Sequence, residues 1–228
     1  MRTETGVTPL AGEVAAVFFD LDGTLVDSAP DLVVAMQRLR AELGESCVDV
    51  AAIGTLVSKG GRAMLRRGFP DADEPRIEQL LPRFLQLYAE AIATHTRTYP
   101  GIDDVLATLE ARAIHWGVVT NKPGWLARAL LSALRLDVRC VALVSGDCLP
   151  QRKPDPAPLL HACALANVAP ARSVYVGDDA RDIETGQRAG TRTIAAAWGY
   201  VNGEDVSTWG ADLVVEQPRD LLHALGIA

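Results

Sequence analysis

Val17-Phe18-Phe19-Asp20-Leu21-Asp22-Gly23-Thr24-Leu25-Val26-Asp27-Ser28 is the stretch on which the reading of the fold turns. The apolar run from Val14 to Phe19 predicts a buried strand that stops abruptly at a carboxylate. Two carboxylates follow one residue apart, and Gly23 then lets the chain turn sharply. A buried strand ending in Asp-x-Asp-Gly-Thr puts two like charges at the carboxyl edge of a sheet, where open α/β sheets bind their ligands. Carboxylates ~4 Å apart repel by about 4 kcal/mol at an effective dielectric near ~20. Folding does not favour such a pair without a cation or a shared proton, so the stretch predicts a metal.

Downstream of Ser28 the pattern becomes helical. Pro30 opens a helix with Leu32, Val33, Met36, Leu39 and Leu43 on one face, and Gly44 ends it. Ser58-Lys59-Gly60-Gly61-Arg62 leads into a helix from Ala63 to Arg67, which Gly68-Phe69-Pro70-Asp71 breaks. Glu74 to His95 carries Ile77, Leu80, Leu81, Phe84, Leu85, Tyr88 and Ile92 at helical spacing, and Pro82 is expected to kink or divide it. After Tyr99-Pro100-Gly101, strand-like runs at His115–Thr120, Val141–Ser145, Ser173–Gly177, Thr193–Ala197 and Leu213–Val215 alternate with helical ones. That alternation specifies an α/β fold, a parallel sheet covered on both faces. The expected organisation is a discontinuous core, residues 1–27 and 98–228, with an all-helical unit at 28–97 inserted after the first strand.

Three later strands also end in polar groups. Thr120, with Asn121, closes the first and can hold phosphate oxygens, with Pro123 suited to the next helix's first turn. Lys153 stands in Gln151-Arg152-Lys153-Pro154-Asp155-Pro156, where two prolines stiffen the loop and can aim an ammonium into a site. Tyr175-Val176-Gly177-Asp178-Asp179-Ala180-Arg181-Asp182 brings one carboxylate to a strand end and another four residues on. Asp178 is a candidate magnesium ligand opposite Asp20, Asp182 a supporting group, and Asp179 a solvent-facing or helix-capping residue.

Taken in order, Asp-x-Asp-Gly-Thr, strand-Thr, Lys-Pro and Gly-Asp-x-x-x-Asp resemble the four motifs of the haloacid dehalogenase superfamily, over essentially the whole chain. The resemblance implies a doubly wound Rossmann-like sheet with the first strand central, and a helical cap. It also implies phosphate-ester hydrolysis through an aspartyl-phosphate. Asp20 would be the nucleophile, ionised at neutral pH from an ordinary value near ~3.9. Asp22 would be the general acid and base, and Asp20, Asp178 and the Asp22 carbonyl would hold Mg2+. Thr120, Asn121 and Lys153 would bind phosphate. An acid at Asp22 disfavours dehalogenase and phosphonatase chemistry and leaves a sugar phosphomutase or a catalytically silent binding protein as lesser readings. TNKP, KPDP, GDDxRDIExG and the later WGY and WGAD segments look like the phosphoglycolate phosphatase group. WGVVTNKP and VSKGGRAM narrow the likeness to N-acetylmuramic acid 6-phosphate phosphatases of cell-wall recycling. Lys59 and Arg62 are candidates for the substrate's second anion.

Composition bounds the rest. The 228 residues are 49% hydrophobic and 22% charged with net charge −7, which disfavours nucleic acid or an anionic membrane as partner. The expected partner is a small phosphate ester, and the expected assembly a monomer or homodimer. No run approaches the ~18 apolar residues of a membrane span, and MRTETGVTPLAGE reads as a frayed leader without a signal core, so a cytoplasmic location is expected. Cys47, Cys140, Cys148 and Cys163 lack metal or disulfide spacing, and His95, His115, His161 and His223 are scattered.

Overall fold

The structure, a computed structural model, describes residues 9–10, 12–46 and 49–227. Most of the expected leader (1–8 and 11) and Cys47 lie outside the described residues. Val17, Phe18 and Phe19 lie in the first strand, β1 (Ala16–Phe19), which is buried at every position. A strand shielded on both faces reads as a continuous apolar run. The chain then forms β2 (Val26–Asp27), α1 (Ala29–Glu42), α2 (Val50–Gly54), α3 (Gly61–Gly68), α4 (Glu74–Glu90) and β3 (Arg97–Thr98). Alternating units follow: α5 (Ile102–Ala111), β4 (His115–Val119), α6 (Gly124–Ala133), β5 (Leu143–Val144), α7 (Ala157–Leu165) and β6 (Ser173–Gly177). The chain closes with α8 (Ala180–Ala189), β7 (Arg192–Ala196), β8 (Leu213–Val215) and α9 (Leu221–Ala224).

Six strands pair in parallel in the order β5-β4-β1-β6-β7-β8. From β1 the chain winds outward through β4 and β5, then returns to β6 on the other side of β1. The direction of winding therefore reverses between β1 and β6, and such a switch opens a crevice beyond the carboxyl ends of the strands. Register sets what faces the crevice. Phe19 lies opposite Val118 on one side and Val176 on the other, so Asp20, Thr120 and Asp178 leave neighbouring strands within two residues of one another. The helices clothe both faces, with Trp116, Leu106, Leu109 and Leu130 in one buried cluster and Phe18, Leu159 and Tyr175 in another.

Helices α1 to α4 build a further cluster, centred on Met36, Leu39, Met64, Leu65, Ile77 and Phe84. The chain enters and leaves this segment through β2 and β3, an antiparallel ribbon pairing Val26 with Thr98 and Asp27 with Arg97. Sequence patterning did not predict this ribbon, because two residues carry no periodicity. The buried Asp31 carboxylate pins the returning chain, accepting the backbone N–H of His95 (2.9 Å) and the N–H and hydroxyl of Thr96 (3.0 and 2.6 Å). The expected break at Pro82 does not occur, since α4 runs unbroken through it. Pro82 lies on the exposed face, while Ile77, Leu80, Phe84 and Leu87 are buried on either side, so packing outweighs the missing backbone donor. The helix stops at Glu90 rather than His95, ahead of a turn in which Ala93 takes φ 58°. Among the described residues no helix is long and apolar enough to cross a membrane.

Gly117 of β4 lies opposite Phe18, and a Cβ there would sit 2.9 Å from both the Phe18 ring and the Ala142 carbonyl oxygen. Gly117→Ala is expected to cost about 1–3 kcal/mol of stability by overpacking. Phe18→Leu in the same chain should recover part of it in urea unfolding. An unchanged midpoint for Gly117→Ala would refute this register.

Candidate active site

At the crevice, three carboxylates crowd one ammonium. Asp20, Asp178 and Asp182 are 6%, 1% and 0% exposed, and each offers an oxygen within 4.8 Å of the others. Lys153 Nζ lies 2.8 Å from Asp20 Oδ1 and 2.6 Å from Asp182 Oδ1. Asp20 Oδ1 meets the ammonium as a buried ion pair and has no further donor among the described residues. Asp182 is held in place from several sides. Its Oδ2 accepts the Asp179 N–H in a capping box at α8, and Tyr175 Oη lies 3.2 Å from its Oδ1. Asp178 accepts Thr24 Oγ1 (2.9 Å), Ser58 Oγ (2.7 Å) and the Tyr200 N–H (2.9 Å).

Electrostatics follow from this crowding. Burial pushes the Asp20 carboxyl up to about 7; Lys153 opposes the shift, and Asp182 and Asp178 add to it. Burial, then the Asp182 charge, raise Asp178 to about 6 against its hydrogen bonds. Burial disfavours a charge on Lys153, but Asp182 and Asp20 outweigh it and hold the ammonium above the ordinary lysine value. The sequence-based expectation of an Asp20 with an ordinary carboxyl is therefore corrected, because full burial at the strand end removes its solvation. A divalent cation fits this donor set. Three hard oxygen ligands converge in a buried site, and one ammonium cannot neutralise three carboxylates.

The other expected residues divide into those the cavity gathers and those already engaged. Asp20, Asp22, Thr120, Asn121, Lys153, Lys59, Arg62 and Asp182 all line one cavity of about 550 Å3. The Asp22 carboxylate is outside the acid cluster, accepting Ser28 Oγ at 2.5 Å and Lys122 Nζ at 2.9 and 3.0 Å. Its backbone carbonyl faces Ser58 Oγ (3.4 Å), the hydroxyl that also donates to Asp178. The Asn121 side chain clasps the Lys153 backbone, donating to its carbonyl (3.2 Å) and accepting its N–H (3.1 Å). Lys59 pairs with Asp179 (2.9 Å) and Glu204 (3.0 Å), and Arg62 with Glu78. Asp179 caps α8 as expected but is buried rather than solvent-facing, because Arg181 and Lys59 neutralise it. Burial opposes ionisation of Asp179, and the Arg181 contacts hold it well below the usual carboxylate range.

Sequence reasoning missed Lys122, whose ammonium is buried between the Asp22 carboxylate and the Tyr88 ring, 4.5 Å from its centroid. The signal was available: a lysine two residues beyond a strand end must find an anion at an edge this rich in carboxylates. It also missed how Trp198-Gly199-Tyr200 seals the Asp20–Gly23 turn. Trp198 Nε1 donates to the Thr24 carbonyl (3.0 Å), and a Cβ on Gly199 would collide with Asp178 and the Gly23 carbonyl. The Tyr200 hydroxyl contacts Asp27 Oδ1 (2.6 Å) and receives the Ala29 N–H (2.9 Å), tying this segment to the start of α1.

Comparison with known proteins agrees with the geometry. A family model for haloacid dehalogenase-like hydrolases matches residues 17–196, and the chain belongs to that family. It is 44% identical over 207 residues to a phosphoglycolate phosphatase of Xanthomonas campestris pv. campestris, covering 90% of this chain and 94% of the relative. It is 43% identical over 212 residues to an N-acetylmuramic acid 6-phosphate phosphatase of Pseudomonas aeruginosa, covering 92% and 94%. Among solved structures, a predicted phosphoglycolate phosphatase from Haemophilus somnus superposes with a TM-score of 0.84 at 25% identity, over 93% of this chain and 98% of the other.

Without metal, Asp20 and Asp178 bind protons more tightly when folded, at about 7 and about 6, than at the ordinary value of 3.8. Folding then takes up protons, so the contribution of these groups to stability is greatest below the ordinary value and is lost as pH rises through the folded values. The melting temperature of metal-free protein is expected to carry this downward component between about pH 5 and about pH 8. Added Mg2+ should raise melting more at the higher pH, because protons compete for its ligands at the lower one. Equal metal-induced shifts at both pH values would contradict the assignment.

Proposed function

We propose that the protein is a magnesium-dependent phosphomonoesterase that transfers the phosphoryl group to Asp20 before releasing it to water. The observation that carries this reading is the buried Asp20–Asp178–Asp182 cluster, of which Asp20 and Asp182 pair with Lys153 and line the cavity. Mg2+ held by Asp20, Asp178 and the Asp22 carbonyl would neutralise the acids and the incoming dianion, so that Asp20 is ionised at neutral pH. A carboxylate at that position attacks phosphorus in line and displaces the alcohol oxygen, giving an acyl-phosphate. Asp22, which lines the same cavity and is held by Ser28 and Lys122, protonates the departing oxygen and then takes a proton from the water that attacks the acyl-phosphate. Thr120 and the Lys153 ammonium hold phosphate oxygens, Asn121 fixes the Lys153 backbone, and Asp182 keeps the ammonium aimed. Residues 28–97 act as a cap over a core of residues 1–27 and 98–228, with the β2–β3 ribbon as the joint.

The substrate read from this site is N-acetylmuramic acid 6-phosphate, with 2-phosphoglycolate as the second reading. The relatives of nearly equal identity carry both activities in their names. Cavity size favours the sugar. About 550 Å3 is within the ~300–1,000 Å3 of pockets that enclose drug-sized ligands, and a two-carbon acid leaves most of it empty. One wall is apolar, formed by Val57, Met64, Leu81, Leu85 and Leu126, and suits a ring face and an acetamido methyl.

Purified protein with Mg2+ is expected to release phosphate from N-acetylmuramic acid 6-phosphate with higher kcat/KM than from 2-phosphoglycolate, and to stop on chelation. Asp20→Asn should lower kcat by roughly a thousandfold or more, since an amide does not form the acyl-phosphate. A folded Asp20→Asn protein with near-normal turnover would reject the covalent route.

A further inference from the structure

The charges that line the cavity do not balance evenly. Six cationic residues line it, and among the described residues five already face a carboxylate: Lys59 pairs with Asp179 and Glu204, Arg62 with Glu78, Lys122 with Asp22, Lys153 with Asp20 and Asp182, and Arg181 with Asp179. Arg152 is the sixth: it lines the cavity as an exposed residue, and among the described residues its guanidinium has no carboxylate partner and no hydrogen-bond acceptor. Its backbone, however, is fixed on both sides. Asn121 clasps the neighbouring Lys153 through two hydrogen bonds, and the Arg152 carbonyl accepts the Asp155 N–H at 2.8 Å. The next residue along sends a buried ammonium into the acid cluster.

We infer that Arg152 is a specificity-determining residue, receiving a carboxylate borne by the substrate away from its phosphate. A guanidinium offers a planar fork that matches a carboxylate with two parallel hydrogen bonds. The other lining cations would first have to give up an existing anion. Lys59 and Arg62, the candidates from sequence for this task, are in that position. A free arginine on an anchored loop beside the phosphate-binding lysine loses little backbone freedom on binding, and its charge remains available. This rests on the phosphomonoesterase reading above and adds to it the class of ester preferred: one with a carboxylate as a second anchor.

The test uses the full-length enzyme with Mg2+ and two sugar phosphates, N-acetylmuramic acid 6-phosphate and N-acetylglucosamine 6-phosphate, which lacks the lactyl carboxylate. For Arg152→Gln, the ratio of kcat/KM between the acid and its neutral counterpart is expected to fall about 10- to 100-fold, as for loss of one charge-assisted pair. The loss should lie in KM for the acid, and Arg152→Lys should restore part of it. Circular dichroism and the melting temperature of the variants establish that they are folded. An unchanged ratio, or a fall in both substrates by the same factor, overturns the assignment of Arg152 while leaving the phosphatase reading standing. A wild-type enzyme that releases phosphate from neither ester nor from an aryl phosphate overturns the phosphatase reading itself, and this inference with it.

Discussion

The constraint on which the rest of the structure depends is the burial of three carboxylates against a single ammonium. Asp20, Asp178 and Asp182 are almost wholly removed from water, and among the described residues Lys153 is the cation paired with two of them, Asp20 and Asp182. Desolvating charges of one sign is costly, and proteins meet that cost with a proton, a counter-charge or a metal. Here burial raises Asp20 to about 7 and Asp178 to about 6, so both hold protons more tightly than an ordinary carboxylate. A divalent cation among these oxygens would compete with those protons. The sheet makes the arrangement possible: β1 and β6 are adjacent, their winding reverses there, and the two carboxylates leave their carboxyl ends together.

Much of the remaining polar structure holds this cluster in place. Thr24, Ser58 and Tyr200 converge on Asp178, while Tyr175 and the α8 capping box orient Asp182. Several of these contacts cross between the helical segment and the sheet edge. Ser58 reaches Asp178, Arg181 donates to the Ser58 carbonyl at 2.6 Å, Lys59 pairs with Asp179, and Tyr88 lies under the Lys122 ammonium. Positioning of the helices over the cavity is thereby linked to the acids at its floor.

The fold was legible because its signals are local and strong. β1 is an unbroken apolar run, Ser173–Gly177 and Leu213–Val215 fall where the pattern put them, and Asp20 and Asp178 stand directly after buried strands. What escaped was set by partners far apart in sequence. The β2–β3 ribbon depends on pairing across about seventy residues, and no two-residue segment announces it. Pro82 argued for a break that the buried faces of α4 override. The grip of Lys122 on Asp22 spans 100 positions, and the sealing of Asp178 by Tyr200 spans 22. Lys59 and Arg62 were legible as cations beside a flexible glycine pair. Their carboxylate partners, and hence their occupied state, were not.

The central claim is that Asp20 itself receives the phosphoryl group. Its most direct measurement is mass spectrometry of enzyme quenched in acid within milliseconds of mixing with Mg2+ and an aryl phosphate, a donor whose good leaving group favours accumulation of the intermediate. The account requires a phosphoryl adduct on the peptide containing Asp20, formed faster than free phosphate appears and lost when the quenched protein is treated with hydroxylamine. Turnover with no adduct on that peptide, or an adduct on another residue, would contradict it.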